Sequence, residues 1–267
     1  MTHSARDFAA AGAMTGEPNP FARHYLRRYA FCWEQLAGQH GHHLDLGCGE
    51  GEFLTALHAT TPLQCTGADP HAGYLAQVRK ASPDIPVQHI PVAGELCFRT
   101  GEFTSVSLLD VLEHVRDEAR ILAEIRRVLA PGGLLIVTVP GRHIFSFLDP
   151  DNAKFRFPRL HRLVYSARFG REVYADRFEN LANGLCGDMS VGKKEHTNYR
   201  RRDLLALLRE HGFDPVIVTG ANLFWRWLQI PALLTGGRLR ELLERAIYLD
   251  GVIFTSANLF VAARKVQ

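Results

Sequence analysis

His43-Leu44-Asp45-Leu46-Gly47-Cys48-Gly49-Glu50-Gly51-Glu52-Phe53-Leu54 decides the fold of this 267-residue chain. A short apolar run ends in Asp45, a glycine-rich turn follows, and a helix-compatible segment begins. The pattern predicts a buried strand, a tight turn and the N-terminus of a helix. Glycines at alternate positions let a ligand approach the backbone, because no Cβ stands in the way. Unpaired N–H groups of a first helical turn, with the helix dipole, favour an electron-rich group there. Many α/β proteins carry such a turn, so the turn alone is a weak signal.

Three further stretches at fixed distances sharpen it. Thr66-Gly67-Ala68-Asp69-Pro70 puts a carboxylate at the end of a second strand, where it suits the two hydroxyls of a ribose. Val106-Ser107-Leu108-Leu109-Asp110-Val111-Leu112-Glu113-His114-Val115 runs from a fourth strand into a helix. Val128-Leu129-Ala130-Pro131-Gly132-Gly133 reads as helix end and turn, and Leu134–Val139 as an apolar central strand. Together these motifs resemble the class I S-adenosylmethionine-dependent methyltransferases, nearest the branch with LDxGCGxG, LEHV and LxPGG that includes the quinone-biosynthesis O-methyltransferases. The resemblance covers roughly residues 20–141. It implies an α/β, Rossmann-like, seven-stranded and mostly parallel sheet with helices on both faces and an antiparallel last strand.

The resemblance also implies a cofactor, S-adenosyl-L-methionine, held by Asp45, Gly47, Cys48, Gly49, Gly51, Asp69, Pro70 and Asp110. Cys48 reads as a small filler of the turn rather than a nucleophile. The acidic residue that receives the adenine amino group in the family has no clear counterpart. Val92 takes its place by register, and Glu95 is the nearest carboxylate.

Along the chain, residues 1–18 read as a mobile tail and 19–140 as the cofactor-binding core. A helical pattern starts at Asn19-Pro20, with Arg23, Arg27 and Arg28 between its apolar positions; it either covers the substrate side or simply packs. Residues 141–195 interrupt the core. A structureless loop that long is improbable in a compact domain, so helices over the site are expected there. Within it, Asp149-Pro150-Asp151-Asn152 resembles a calcium loop only superficially, because the other ligand positions are absent. The core resumes over 196–267, with an apolar insertion at 221–249 and a last strand at Val252–Ala263.

The net charge of +3 is uneven: residues 142–209 hold 14 Lys/Arg against 8 Asp/Glu. A basic insert suits an anionic substrate or surface, or is only a solvated loop. The five cysteines show no CxxC pair and no metal-ligand spacing, which predicts free thiols and a cytoplasmic protein. No apolar run approaches the roughly 20 residues needed to span a bilayer. Leu223–Leu234, with Trp225 and Trp227, leaves three readings open: peripheral membrane contact, a lid over an apolar substrate, or packing and a homodimer contact.

Methyl transfer from a sulfonium needs alignment more than covalent help, but a hydroxyl acceptor must lose its proton. His114 and His196 are the candidate bases, each with a structural histidine as the alternative. Asp110, Glu113 and His114 share a face if a helix begins at Asp110. Two carboxylates and an imidazole suit a divalent cation such as Mg2+, but the favoured reading is a helix cap at Asp110 with no metal. The expected reaction is methylation, on oxygen, of a small-molecule or lipid-linked acceptor. An NAD-binding protein is the rival enzyme, but Glu52 occupies its third glycine position. A non-catalytic binding subunit is the other alternative. Methylation of a macromolecule is a third option that the basic insert permits, but nucleic acid is not expected, because strand four lacks the Asn-Pro-Pro-Tyr-like motif of base methyltransferases.

Overall fold

The computed structural model describes residues 18–90, 95–146, 152–179 and 197–266. Helix α1 (Arg27–Leu36) precedes strand β1 (His42–Leu46), α2 (Glu52–Thr60), β2 (Gln64–Asp69), α3 (Ala72–Ala81) and β3 (Val87–His89). Strand β4 (Phe103–Leu109) leads through a 3₁₀ turn (Leu112–His114) to α4 (Glu118–Val128) and β5 (Leu129–Pro140). Helices α5 (Ala153–Arg156), α6 (Pro158–Phe169) and α7 (Arg171–Phe178) follow. Then come α8 (Arg201–Glu210), β6 (Phe213–Ala221), α9 (Trp225–Leu234), α10 (Gly237–Ile253) and β7 (Asn258–Lys265).

The seven strands form one sheet in the order β3-β2-β1-β4-β5-β7-β6. Pairing is parallel from β3 to β5, while β7 runs antiparallel to both β5 and β6. The order reverses between β1 and β4, which opens the crevice at the carboxyl ends where such sheets take ligands. The central strands are buried on both faces, hence their near-continuous apolar runs. Leu135, Val137, Val139, Val106 and Leu108 join one core with Leu122, Ile125 and Leu208. Leu134, Ile136, Phe260 and Ala262 join the other with Trp33, Phe53 and Leu57.

Three expectations give way. β5 begins at Leu129, ahead of Pro131-Gly132-Gly133, and the pairing with β4 shifts register between Phe103 and Ser105. The glycine pair therefore makes an irregularity within the strand, with Gly132 at φ +70°, rather than a turn before it. Val252 and Ile253 belong to the end of α10, and the last strand starts at Asn258. No helix begins at Asp110: its φ of +56° is left-handed, and only the 3₁₀ turn follows.

Candidate active site

The glycine turn is built around β2. Gly47 and Cys48 both donate backbone N–H groups to Ala68 O, which closes the turn onto the neighbouring strand. Gly47 (φ +83°) stays glycine because a Cβ would fall on Val111 Cγ2. Gly49 (φ +53°) is different: a Cβ there would meet nothing within 4 Å, so its face is open. Gly51 is the N-cap of α2 and has no side chain to satisfy the first amides of the helix. An open glycine face beside uncapped amides fits the polar end of a bound cofactor.

Asp69, at the tip of β2, accepts the Gly49 N–H (2.9 Å) and the His71 N–H (2.7 Å). Burial pushes its pKa upward, partly offset by those two N–H bonds. Each oxygen keeps a lone pair, so the carboxylate retains capacity for a ribose hydroxyl. The adjacent Pro70 is buried, and its carbonyl is bonded to His89 Nε2 (2.9 Å). His71 stacks on Tyr74 at 4.1 Å and reaches Asp176 of α7 at 3.7 Å. Helix α7, after β5, thus reaches the turn that follows β2.

Asp45 and Cys48 turn inward. The Cys48 thiol is buried against Gly67, and burial lifts its pKa far above the ordinary thiol range. Asp45 is 3% exposed and accepts the Ser107 hydroxyl at 2.7 Å. His43, two residues earlier on the same face of β1, lies 2.9 Å from Ser105 Oγ and 3.0 Å from Ser107 Oγ. Because Ser107 donates to Asp45, it accepts from His43 Nε2–H, and Ser105 donates to Nδ1. Burial lowers the His43 pKa to about 3 and raises that of Asp45 to about 7, the latter opposed by Ser107 and reinforced by Asp69.

At the carboxyl end of β4, Asp110 is neither a cap nor part of a helical triad. Its Oδ2 pairs with Arg28 of α1 at 2.7 Å, and its Oδ1 accepts the Thr138 hydroxyl at 2.8 Å. Burial works against the Arg28 charge, yet Asp110, ahead of Tyr29 and Glu113, holds it firmly protonated. Among the described residues, no group of three His, Cys, Asp or Glu is arranged to hold a metal ion. Glu113 is 1% exposed, with His114 Nε2 at 3.9 Å from its Oε1. Glu95 is exposed and acts on Arg127, whose guanidinium holds the Leu96 and Phe98 carbonyls. Val92 and His196 lie outside the described residues, as do the tail 1–17 and most of the calcium-like stretch. Thr197-Asn198-Tyr199 does return to the site: Tyr199 bridges to Gly141, and Asn198 accepts from Arg226 at 3.0 Å.

Arg28 and Asp110 line one cleft with Tyr25, Asn222, Trp225 and Asn258. Its walls come from α1, from the ends of β4 and β6, from α9 and from the start of β7. Sequence reading missed the Arg28–Asp110 pair. A signal existed: Arg28 precedes buried Phe31 and Cys32 by three and four residues, so it sits on the inward face of α1.

Residues 44–137 match the family model described as a methyltransferase domain. A probable S-adenosylmethionine-dependent methyltransferase of Mycolicibacterium smegmatis is 32% identical over 125 residues, covering 46% of this chain and 48% of that protein. A ubiquinone biosynthesis O-methyltransferase of Psychrobacter cryohalolentis is 30% identical over 152 residues, covering 48% and 59%. The chain thus spans about half the length of the curated relatives it matches. Among solved structures, geranyl diphosphate methyltransferase in complex with SAM superposes with a TM-score of 0.55 at 16% identity, over 95% of this chain and 94% of that one. At that identity the likeness establishes the fold.

Proposed function

We propose that this chain, whose residues 44–137 are a class I S-adenosylmethionine-dependent methyltransferase domain, transfers a methyl group to the oxygen of a small-molecule or lipid-linked acceptor. The observation that carries the reading is the open face of Gly49 between the Asp69 carboxylate and the uncapped start of α2. The bound cofactor supplies an activated methyl carbon on a sulfonium. The chain's own work is to bind, orient and exclude water. Asp69 accepts from the ribose, and the Gly49–Gly51 backbone receives the polar end of the methionine portion. The cleft beside Asp110 and Arg28 takes the acceptor. Oxygen as the acceptor atom rests on the likeness to the ubiquinone O-methyltransferase and on His114 beside the cleft-lining segment. His114 is 9% exposed, so its role as base needs the acceptor within reach.

Titration calorimetry with S-adenosylhomocysteine tests the binding half. Gly49→Val places a side chain in open space, so the free protein loses only the strain of a left-handed valine, about 1–2 kcal/mol. Affinity for the probe should nevertheless fall by more than tenfold. Asp69→Ala should cost about 1.5–3 kcal/mol of binding, as for a hydrogen bond to a charged group. Wild-type affinity in both variants would refute the site. Transfer of labelled methyl to a component of a cell extract, lost in Gly49→Val, tests the catalytic half.

A further inference from the structure

Helix α6 has two apolar faces. Its inner face carries His161 and Tyr165: His161 lies 3.3 Å from the Tyr174 hydroxyl, and the Tyr165 ring packs on Phe178 at 5.0 Å. Its outer face carries Leu160, Leu163 and Val164, which are 58%, 68% and 46% exposed, followed by exposed Ala167. The spacing i, i+3, i+4, i+7 makes these one stripe along the helix. Arg159 borders the stripe on one side and Arg168 on the other, both exposed. None of the helix's residues is buried. A helix bordered by water alone would carry polar residues where this stripe lies.

The surroundings specify what covers it. Residues 152–179 hold seven Lys/Arg against three Asp/Glu, so the segment attracts an anionic surface. With 12 residues, α6 rises only about 18 Å, and no helix of the described residues is long and apolar enough to cross a membrane. A short helix with an apolar stripe between arginines suits the headgroup boundary of a bilayer, where the stripe meets acyl chains and the guanidinium groups meet phosphates. Phe145, at the root of this segment, packs on Phe224 and Trp227 at 5.5 and 6.0 Å. Trp227 is 52% exposed, so a second apolar surface with an interfacial tryptophan adjoins the root.

We propose that the outer face of α6 docks this protein on an anionic lipid bilayer. The proposal is independent of methyl transfer. Co-sedimentation of the full chain with phosphatidylglycerol-containing vesicles and with pure phosphatidylcholine vesicles tests it. The wild type should sediment with the former, and binding should weaken roughly tenfold or more on raising salt or in Arg159→Gln/Arg168→Gln. Leu160→Ser/Leu163→Ser should abolish binding while leaving the circular dichroism and melting temperature unchanged, because both side chains are exposed. Four results would overturn the proposal: no binding to anionic vesicles, equal binding to both vesicle types, anionic binding that survives Leu160→Ser/Leu163→Ser, or a homodimer in light scattering that those substitutions dissolve. The last would assign the stripe to a second copy of the chain.

Discussion

At the scale of single residues, the chain buries a linear hydrogen-bonded relay, Ser105–His43–Ser107–Asp45, beneath the glycine turn. Its two titratable members act on stability with opposite signs. An unfolded Asp45 ionises near 3.8 and the folded one near 7, so between those values the unfolded chain holds fewer protons and stability falls as pH rises. An unfolded His43 is protonated below 6.5 and the folded one only below about 3, so over that window stability rises with pH. From about pH 4 to 6.5 the two slopes oppose each other and largely cancel. Asp45→Asn keeps the Ser107 bond and removes one slope. Its stability should then climb with pH by up to about 1.4 kcal/mol per unit across that window, while the wild type stays nearly flat. Urea titrations at several pH values measure both, and parallel profiles would rule out the paired burial. The relay was not legible in the sequence: strand periodicity shows that His43 and Asp45 share a face, but nothing local shows that Ser105 and Ser107, some 62 residues away, meet them.

At the scale of elements, legibility followed locality. The β1–turn–α2 unit and β2 were readable because neighbours in sequence determine them. The end of α10 was not, since a short run such as Gly251-Val252-Ile253-Phe254 suits strand or helix equally by pattern. Tertiary contacts decide it. Asp250, 6% exposed, accepts from the Leu223 and Phe224 N–H groups and from Asn222 Nδ2, and so pins α10 to the start of α9. Asp250→Ala removes an acceptor of the buried Asn222 amide and of two part-buried backbone N–H groups, which should cost about 1–3 kcal/mol and raise hydrogen exchange throughout α9 and α10. The β6–β7 pair has a stricter requirement. A Cβ on Gly220 would fall on the carbonyl oxygens of Thr255 and Asn258, which are backbone and have no rotamer to change. Gly220→Ala should therefore destabilise by at least about 1–3 kcal/mol, with the loss concentrated in β6 exchange protection. A neutral result by chemical denaturation would mean that the two strands lie farther apart.

At the scale of the whole molecule, the four motifs all fall within residues 43–140, which invites the view that this stretch is a self-sufficient unit. The packing argues otherwise. β5 is buried without interruption from Leu134 to Pro140, and over those seven positions it pairs with β7. β7 also feeds both cores: Leu259, Val261 and Ala263 enter one, Phe260 and Ala262 the other. Burying Leu259, Phe260 and Val261 alone is worth about 5–9 kcal/mol at the usual 1.5–3 per large apolar side chain. That is comparable with the roughly 5–15 kcal/mol that holds a whole domain together. A fragment of residues 18–146 would also present the full edge of β5 as an unpaired apolar strand, a template for aggregation. We expect this fragment to lack a cooperative thermal transition and native near-ultraviolet dichroism. In the intact chain, the amides of β4, β5 and β7 should exchange most slowly and as one group. A fragment that folds cooperatively as a monomer would show that the C-terminal strands decorate the sheet rather than complete it.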